Sequence, residues 1–400
     1  MNKKLAGFLA AALCAVTSAA SAAPPPIDIG EAVQLTLKDN AALRSLRQEL
    51  VKAQAFKLQA DGTLLPSVSA GGTIDTQREP QTTDGSDRSG SRSANATLEQ
   101  VIYSGGKNSA QRAQSPQVKT IAEMAVADGE NSAVGELYAR FYDVLLKKKQ
   151  IEAELDAVAT SELHLRQVTQ MAELGMANKL EVIRAGQQLA TNTANLATAR
   201  GLHETSVISL MNYMAIEPQQ RREVVGELYE PAISGDRMES LALAEKFRAD
   251  RLQLQEQLRY QENQIKIERS GMLPKVTAGL SSGWSNPYRQ QDRSSDSWRA
   301  EVSLAVPIFD RNVTRSAVIS ARAVREQDQI ALEQKTLDIK SEVETAWSDI
   351  ETSLRSLRAS EKALELAKET LRLAEVGYRE GVTPQLDLLD AQSSLTLAQL

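Results

Sequence analysis

Asp387 and Asp390 are the residues of this 400-residue sequence whose type and spacing most suggest a chemical role. They are three residues apart at the start of the last predicted helix, so both carboxylates lie on the same side of it. On a single chain, such a pair is typical of a solvated helix face in a favourable position in the helix dipole. In a symmetric oligomer with these helices innermost, the pair would form two stacked carboxylate rings, which select cations in a narrow pore.

Other residue types with catalytic or metal-binding chemistry form no cluster. His164 and His203 are the only histidines. Both lie in helical stretches without a paired ligand three or four residues away, so we expect ordinary helix-surface residues. The Gly-Gly-Lys segment at 105–107 lacks the rest of a phosphate-loop motif, and the second half has Asp-Arg-Asn at 310–312 in its place, so a turn explains both. The sequence therefore predicts no enzyme, no cofactor and no metal site.

The N-terminal 22 residues have the three parts of a secretory signal peptide. Lys3 and Lys4 form the basic start, an apolar stretch runs from 5 to 16, and small residues at 20–22 form the cleavage site. The apolar stretch is shorter than the roughly 18–20 residues of a membrane helix. Cys14 is the only cysteine, so the mature chain has no thiol. Loss of the two lysines changes the net charge from −6 to −8, which argues against nucleic-acid binding.

The rest of the chain is duplicated at a distance of about 206 residues. Leu-Pro-Ser-Val-Ser-Ala-Gly at 65–71 returns as Leu-Pro-Lys-Val-Thr-Ala-Gly at 273–279, and a row of apolar residues spaced by seven returns with it. Each row ends at a glycine turn, at Gly175 and at Gly381. We therefore predict four parts: a signal peptide at 1–22, a first repeat at 23–214, a linker at 215–237 and a second repeat at 238–400. By symmetry with the first repeat, the second lacks about twenty residues, so we expect a truncated chain.

Each repeat contains a predicted β-hairpin, at 67–103 and at 275–308, because small apolar and polar residues alternate there. Strands of about ten residues match the roughly 9–11 residues with which a tilted strand crosses an outer membrane. Four strands cannot close a barrel, which needs at least about eight, and an open sheet leaves unpaired backbone groups in lipid. The strands therefore belong either to soluble hairpins packed on helices or to a barrel shared by several chains. An interfacial aromatic girdle, as in a barrel, would explain Trp284, Tyr288 and Trp298.

Helices are predicted before and after each hairpin. The helices before the hairpins run from Ile29 to about Asp61 and from Met238 to about Gly271. Long helical hairpins follow, at 109–213 and at 312–400. Their first arms of about 62–65 residues would be about 95 Å long. The seven-residue spacing predicts left-handed coiled-coil packing between such helices.

Helix-terminus signals flank the two glycine turns. Asn178 and Thr383 are placed to cap the helices that follow, with Glu181 as the acid of a capping box and Pro384 in the first turn. Pro116 marks either a kink in the first long helix or its true start. The sequence therefore predicts two antiparallel helical hairpins that reverse at Gly175 and Gly381.

These features, taken in order, resemble the TolC-like outer membrane factors. The resemblance rests on the signal peptide, the duplication, Leu-Pro before each strand hairpin, and four further segments. These are Gln-Val-Ile-Tyr-Ser-Gly-Gly at 100–106, Val-Pro-Ile-Phe-Asp at 306–310, Gly-Tyr-Arg-Glu-Gly at 377–381 and Leu-Asp-Leu-Leu-Asp-Ala at 386–391. It covers the whole mature chain. It implies an α+β membrane protein of the bacterial outer membrane, in which a homotrimer forms a twelve-stranded barrel from four strands per chain above a long coiled-coil periplasmic tunnel.

The resemblance also implies a function. Such a protein is the outer membrane channel of a tripartite efflux or type I secretion system, a passive duct that docks to a periplasmic adaptor, the membrane fusion protein, and to an inner-membrane pump. The selectivity acids of the family match Asp387 and Asp390, and the tyrosine that holds its entrance shut matches Tyr378. The adaptor would grip the tips at Gly175 and Gly381.

The sequence leaves three points open. Thr383 stands where TolC itself has an arginine two residues after the glycine of the turn, so the resemblance does not carry a charged lock to this position. The alternative function is a soluble periplasmic coiled-coil scaffold or adaptor that uses the same helices without a membrane barrel. The resemblance leaves the exported cargo and the pump type unassigned.

Overall fold

The computed structural model describes residues 25–78, 88–233, 235–287 and 294–400. The predicted signal peptide at 1–22 and Tyr288 lie outside these ranges. Two successive sets of helix, helix, strand, strand, helix and helix make up the described chain. The first set is α1 Ile29–Asp39, α2 Ala41–Gly62, β1 Ser67–Arg78, β2 Arg88–Ser104, α3 Lys107–Glu173 and α4 Lys179–Tyr213. The second set is α5 Arg237–Phe247, α6 Ala249–Arg269, β3 Lys275–Pro287, β4 Ser295–Ala305, α7 Val313–Arg379 and α8 Gln385–Gln399.

The four strands form one antiparallel sheet in the order β1-β2-β3-β4, so the two repeats meet at the β2–β3 pair. The register gives the sheet one apolar and one polar face, because directly paired residues point to the same side. One apolar row across the four strands is Val68, Leu98, Leu280 and Ala300. The neighbouring polar row is Ser69, Thr97, Ser281 and Arg299. The alternation read from the sequence therefore predicted the two faces of the sheet.

Neither face of the sheet is covered by another element within the described residues. On the apolar face Val68 keeps 74% of its surface exposed and Trp298 keeps 78%, and on the polar face Ser69 and Arg299 are exposed. Strand β2, from Arg88 to Ser104, is the longest of the four described strands. Backbone pairing extends the strand through Ser, Gly and Arg residues in which alternation carries little signal.

The long helices α3 and α7 have 67 residues each, or about 100 Å at 1.5 Å per residue. α3 packs on α2, α4 and α6, whereas α7 packs mainly on α5, α6 and α8. Pro116 lies inside α3, so the prediction that it marks the true start of this helix was wrong. Of the helices described, none combines the length and apolar character that crossing a bilayer requires.

The helix before each hairpin is broken once, where the sequence predicted a continuous helix. In the first repeat the break is at Asn40, whose Oδ1 accepts hydrogen bonds from the backbone of Ala42 and Leu43 and whose Nδ2 donates to the carbonyl of Tyr213 at 3.0 Å. In the second repeat it is at Arg248, which pairs with Asp250 and Glu342.

A cluster of buried apolar residues lies where the N-terminal segment, α1, α3, α4 and the linker meet. Its members are Ile27, Ala32, Leu137, Phe141, Val144, Leu145, Val207, Leu210, Met211, Met214 and Val224. Ile27 forms a parallel β-bridge with Val224. Arg222 fixes the same junction with two hydrogen bonds to Glu31, of 2.6 and 2.7 Å. The part of the linker around Arg222 and Val224 is therefore packed against the first repeat.

Candidate gate at the helical tips

The turns at the far ends of the two long helical hairpins have the same geometry. Gly175 has φ 75° and Gly381 has φ 73°, a left-handed conformation that glycine adopts without a steric cost. In each turn the backbone N–H of the residue after the glycine donates a hydrogen bond to a carbonyl of the preceding helix. Met176 donates to Met171 and Val382 donates to Gly377, both at 2.8 Å. These bonds satisfy the last carbonyls of α3 and α7 and reverse the chain.

The helices after the two turns are capped differently. Asn178 caps α4 as predicted: its Oδ1 accepts from the backbone of Glu181 at 3.0 Å and its Nδ2 donates to the Glu181 carboxylate at 2.9 Å. Thr383 does not cap α8, because Pro384 is the residue at the N-cap position. The Thr383 side chain lies over Gly377 instead, where an added Cβ would be 3.0 Å from the Cβ of Thr383. Gly377 is therefore needed for close packing of the second turn.

Near His164 the four helices α3, α4, α7 and α8 come together. His164 lies on α3 with 4% of its surface exposed, so the prediction of a helix-surface residue was wrong. Gln385 of α8 places its Nε2 atom 3.3 Å from Nε2 of His164 and donates from the same atom to the backbone carbonyl of Glu181 on α4 at 2.9 Å. The ring of Tyr378 on α7 meets the His164 ring edge to face, with the centroids 5.7 Å apart. We call His164, Glu181, Tyr378 and Gln385 the tip cluster.

In this part of α3 the apolar row spaced by seven consists of Ile151, Val158 and Leu165, and its spacing predicts that these residues form the coiled-coil seam. Ile151, Val158 and Leu165 are only partly buried, whereas Glu154, Ala157, Ser161, His164 and Val168 are buried. These residues are spaced alternately by three and four, which is the pattern of a coiled-coil seam. Small and polar residues occupy the seam here, so a search for large apolar side chains could not find it.

Burial shifts the pKa values of two members of the tip cluster, His164 and Tyr378. It lowers the pKa of His164, an effect that the nearby Glu181 carboxylate partly opposes. Burial also raises the pKa of Tyr378, and the negative charge of Glu181 adds to that effect. At neutral pH His164 and Tyr378 are therefore both uncharged. With a neutral ring, His164 can accept the Gln385 hydrogen bond through Nε2 while its proton is on Nδ1.

Asp387 and Asp390 lie on the other side of α8 from the tip cluster. Both are exposed, whereas Gln385, Leu388 and Leu389 are buried against the neighbouring helices. Neither aspartate takes part in an ion pair within the part of the chain that the structure describes. The structure thus brings Tyr378 into contact with His164 and leaves both acids on the free face of α8.

The other candidate motifs have structural explanations. Gly105 and Gly106 have positive φ angles in the β2–α3 turn, and Arg311 and Asn312 have the same conformation before α7. The Gly-Gly-Lys segment is therefore a turn that both repeats share. Among the described residues there is no group of three or more acidic, histidine or cysteine side chains that could hold a metal ion. His203 is half-buried on α4.

The apolar side chains at the two tips are exposed. Leu174 and Met176 flank Gly175, and Val382 follows Gly381 with 82% of its surface exposed. Leu180 and Leu386 continue the exposed surface onto α4 and α8. We call these five residues the tip patch.

Comparison with known proteins relates this architecture to one family. The model of the family described as "Outer membrane efflux protein" matches residues 32–215 and 241–400. A search of curated proteins found no match.

Solved structures of membrane proteins share the fold. A membrane protein from Pseudomonas aeruginosa is 21% identical, with a TM-score of 0.79 over 94% of this chain and 86% of that one. The Campylobacter jejuni CmeC outer membrane channel is 16% identical, with a TM-score of 0.79 over 93% and 80%. CusC, whose structures were solved to show conformational changes that accompany folding and transmembrane channel formation, is 17% identical. Its TM-score is 0.77 over 93% of this chain and 87% of that one. At these identities the likeness shows the fold alone.

Proposed function

Because the chain belongs to the outer membrane efflux protein family, we propose that it is the passive export duct of a tripartite efflux or type I secretion system. Three copies form the duct in the outer membrane, and their helices extend into the periplasm. The duct docks to a periplasmic adaptor and an inner-membrane pump, which supply the energy. The chain itself needs no catalytic site or cofactor for this role.

The observation that carries the proposal is the open, two-faced sheet. Strands β1 and β4 each have a strand partner on one side only within the described residues. Lipid does not tolerate a free sheet edge, because unpaired backbone groups cost several kcal/mol there. Closure by β1 of one copy against β4 of the next gives twelve strands with apolar side chains outside and polar side chains inside, as a water-filled barrel requires.

The tips provide the proposed docking and gating surfaces. The tip patch around Gly175 and Gly381 is apolar and exposed, so it is suited to bind a periplasmic adaptor. The free face of α8 carries Asp387 and Asp390, about 4.5 Å apart along the helix axis. In a trimer with α8 innermost they form two carboxylate rings that favour cations. Tyr378 helps to hold this entrance closed.

Membrane fractionation followed by planar-bilayer recording tests the proposal. We expect the protein in the outer membrane fraction, with its mature N-terminus at Ala23, and cation-selective pores after reconstitution. Recovery of the full-length protein as a free periplasmic species would instead support the scaffold or adaptor alternative.

A further inference from the structure

We propose that His164 makes the gate sensitive to pH: the neutral ring accepts a hydrogen bond from Gln385 and holds α8 against α3 and α4, and the protonated ring releases it. The inference rests on the proposed duct function with α8 innermost, and it adds that separation of α8 from α3 and α4 opens the periplasmic entrance. It concerns a residue for which sequence analysis predicted no role.

The contacts of Gln385 make this a connection between the two helical hairpins. Gln385 is 5% exposed, and its single amide nitrogen serves two acceptors, Nε2 of His164 on α3 and the carbonyl of Glu181 on α4. α8 packs mainly on α7 and has few contacts with α3. The two contacts of Gln385 therefore tie α8 to both helices of the first helical hairpin.

Protonation of His164 removes an acceptor from this link. Both ring nitrogens of a protonated histidine carry hydrogen and donate, so Nε2 of His164 would then face the Gln385 donor with a donor of its own. Rotation of the Gln385 amide would turn Oε1 toward His164. The same rotation would place that oxygen against the carbonyl of Glu181, so one of the two bonds is lost in either orientation.

The groups around His164 give the direction of the effect. On α4 the carboxylate of Glu181 favours the proton, on α7 Tyr378 is uncharged, and on α8 the contact is the uncharged Gln385 while the acid Asp387 is exposed. Burial outweighs Glu181, so the pKa of His164 in the closed state lies below that of an exposed ring.

The sign of the pH dependence follows from this lowered pKa. The side chain of an exposed histidine has a pKa of about 6.5. At a pH above this value the ring is neutral in both the closed and the released state, and the link is fully present. As the pH falls below it, the released state binds the proton more tightly, so the closed state is progressively lost. In a trimer three copies of His164 titrate, so opening is steeper than a one-proton titration.

The experiment combines two measurements on the detergent-solubilised, reconstituted trimer. With only two histidines in the sequence, NMR of histidine-labelled protein follows His164 and His203 separately, with His164→Gln as the assignment variant. Planar-bilayer recording then compares open probability at about pH 7.5 and about pH 5.5. The glutamine of His164→Gln can still accept from Gln385 but does not titrate, and His203→Gln is the matched control.

We expect acidification to raise the open probability of the wild type and of His203→Gln at least tenfold, and to leave His164→Gln closed. An equal response in His164→Gln, an open probability of the wild type that does not change with pH, or a His164 that titrates at or above the value of an exposed ring would overturn the inference. The NMR titration of the wild type decides even where His164→Gln fails to assemble. If no pore formed at any pH, the proposed duct function would be contradicted instead. The NMR titration would then still test the hydrogen bond between His164 and Gln385.

Discussion

Replacement of Gln385 by leucine tests how strongly α8 is held in the closed state at neutral pH. Leucine has a similar volume and helix propensity, so the change removes the amide and leaves the packing close to its present state. Gln385→Leu abolishes the hydrogen bonds to His164 and Glu181. It also removes the buried Oε1 atom, which has no partner within the described residues.

The magnitude follows from these contacts. Each lost hydrogen bond contributes roughly 0.5–1.5 kcal/mol, and removal of the unpartnered oxygen offsets part of that loss, which leaves about 1–2 kcal/mol per protomer. Three protomers that open together lose roughly 3–6 kcal/mol of closed-state stability. Since about 1.4 kcal/mol is a factor of ten in an equilibrium constant, the ratio of open to closed pores rises by about two to four powers of ten.

Planar-bilayer recording at about pH 7.5 measures this ratio directly, as the fraction of time that single pores conduct. Gln399→Leu is the matched control, because Gln399 lies on the same helix and is exposed. We expect Gln385→Leu to be open far more often and Gln399→Leu to behave as the wild type. A Gln385→Leu trimer of normal size that stays closed would refute the role of this contact.

Three further predictions concern other parts of the molecule. Asp387→Asn combined with Asp390→Asn reduces cation selectivity, measured as a reversal potential that moves toward zero in a salt gradient; an unchanged potential would exclude the carboxylate rings. Phe141→Ala lowers the free energy of unfolding by about 3–5 kcal/mol, whereas Phe141→Leu costs less than about 1.5 kcal/mol, in denaturant titrations; equal losses would contradict tight packing of the buried cluster. Gly377→Ala displaces Thr383 and raises basal conductance, and adding Thr383→Gly to the same chain restores the wild-type conductance. Normal conductance of Gly377→Ala alone would contradict the close contact between Gly377 and Thr383.

Much of the fold was accessible from the sequence because strands and long helices leave periodic patterns. The alternation around Val68 and Leu280 predicted the strands and their apolar face, and Gly175 and Gly381 marked both turns. The breaks at Asn40 and Arg248 were missed, because each depends on a partner far along the chain. Asn40 donates to Tyr213, and Arg248 pairs with Glu342. Local propensity contains no information about such partners.

The tip cluster was less accessible for a similar reason. The sequence predicts a surface position for His164 because no paired ligand lies three or four residues away, and the seam of α3 in this region consists of small and polar side chains that give no apolar signal. Only the packing of α8 shows that His164, Gln385 and Tyr378 meet. The role of α7 depends on neighbours as well, since Ala321 and Ile339 are its only buried residues in the described single chain. We expect packing between copies in the proposed trimer to cover other apolar side chains of α7.

The mass of the protein extracted from outer membranes tests the shared barrel most directly. Native mass spectrometry in detergent is the measurement, since a chain of 43.6 kDa, less its predicted signal peptide, gives well-separated masses for one, two and three copies. The proposed function predicts a single species of three chains. A stable species of one chain in the membrane fraction would contradict it, because four strands with two free edges cannot remain in lipid alone.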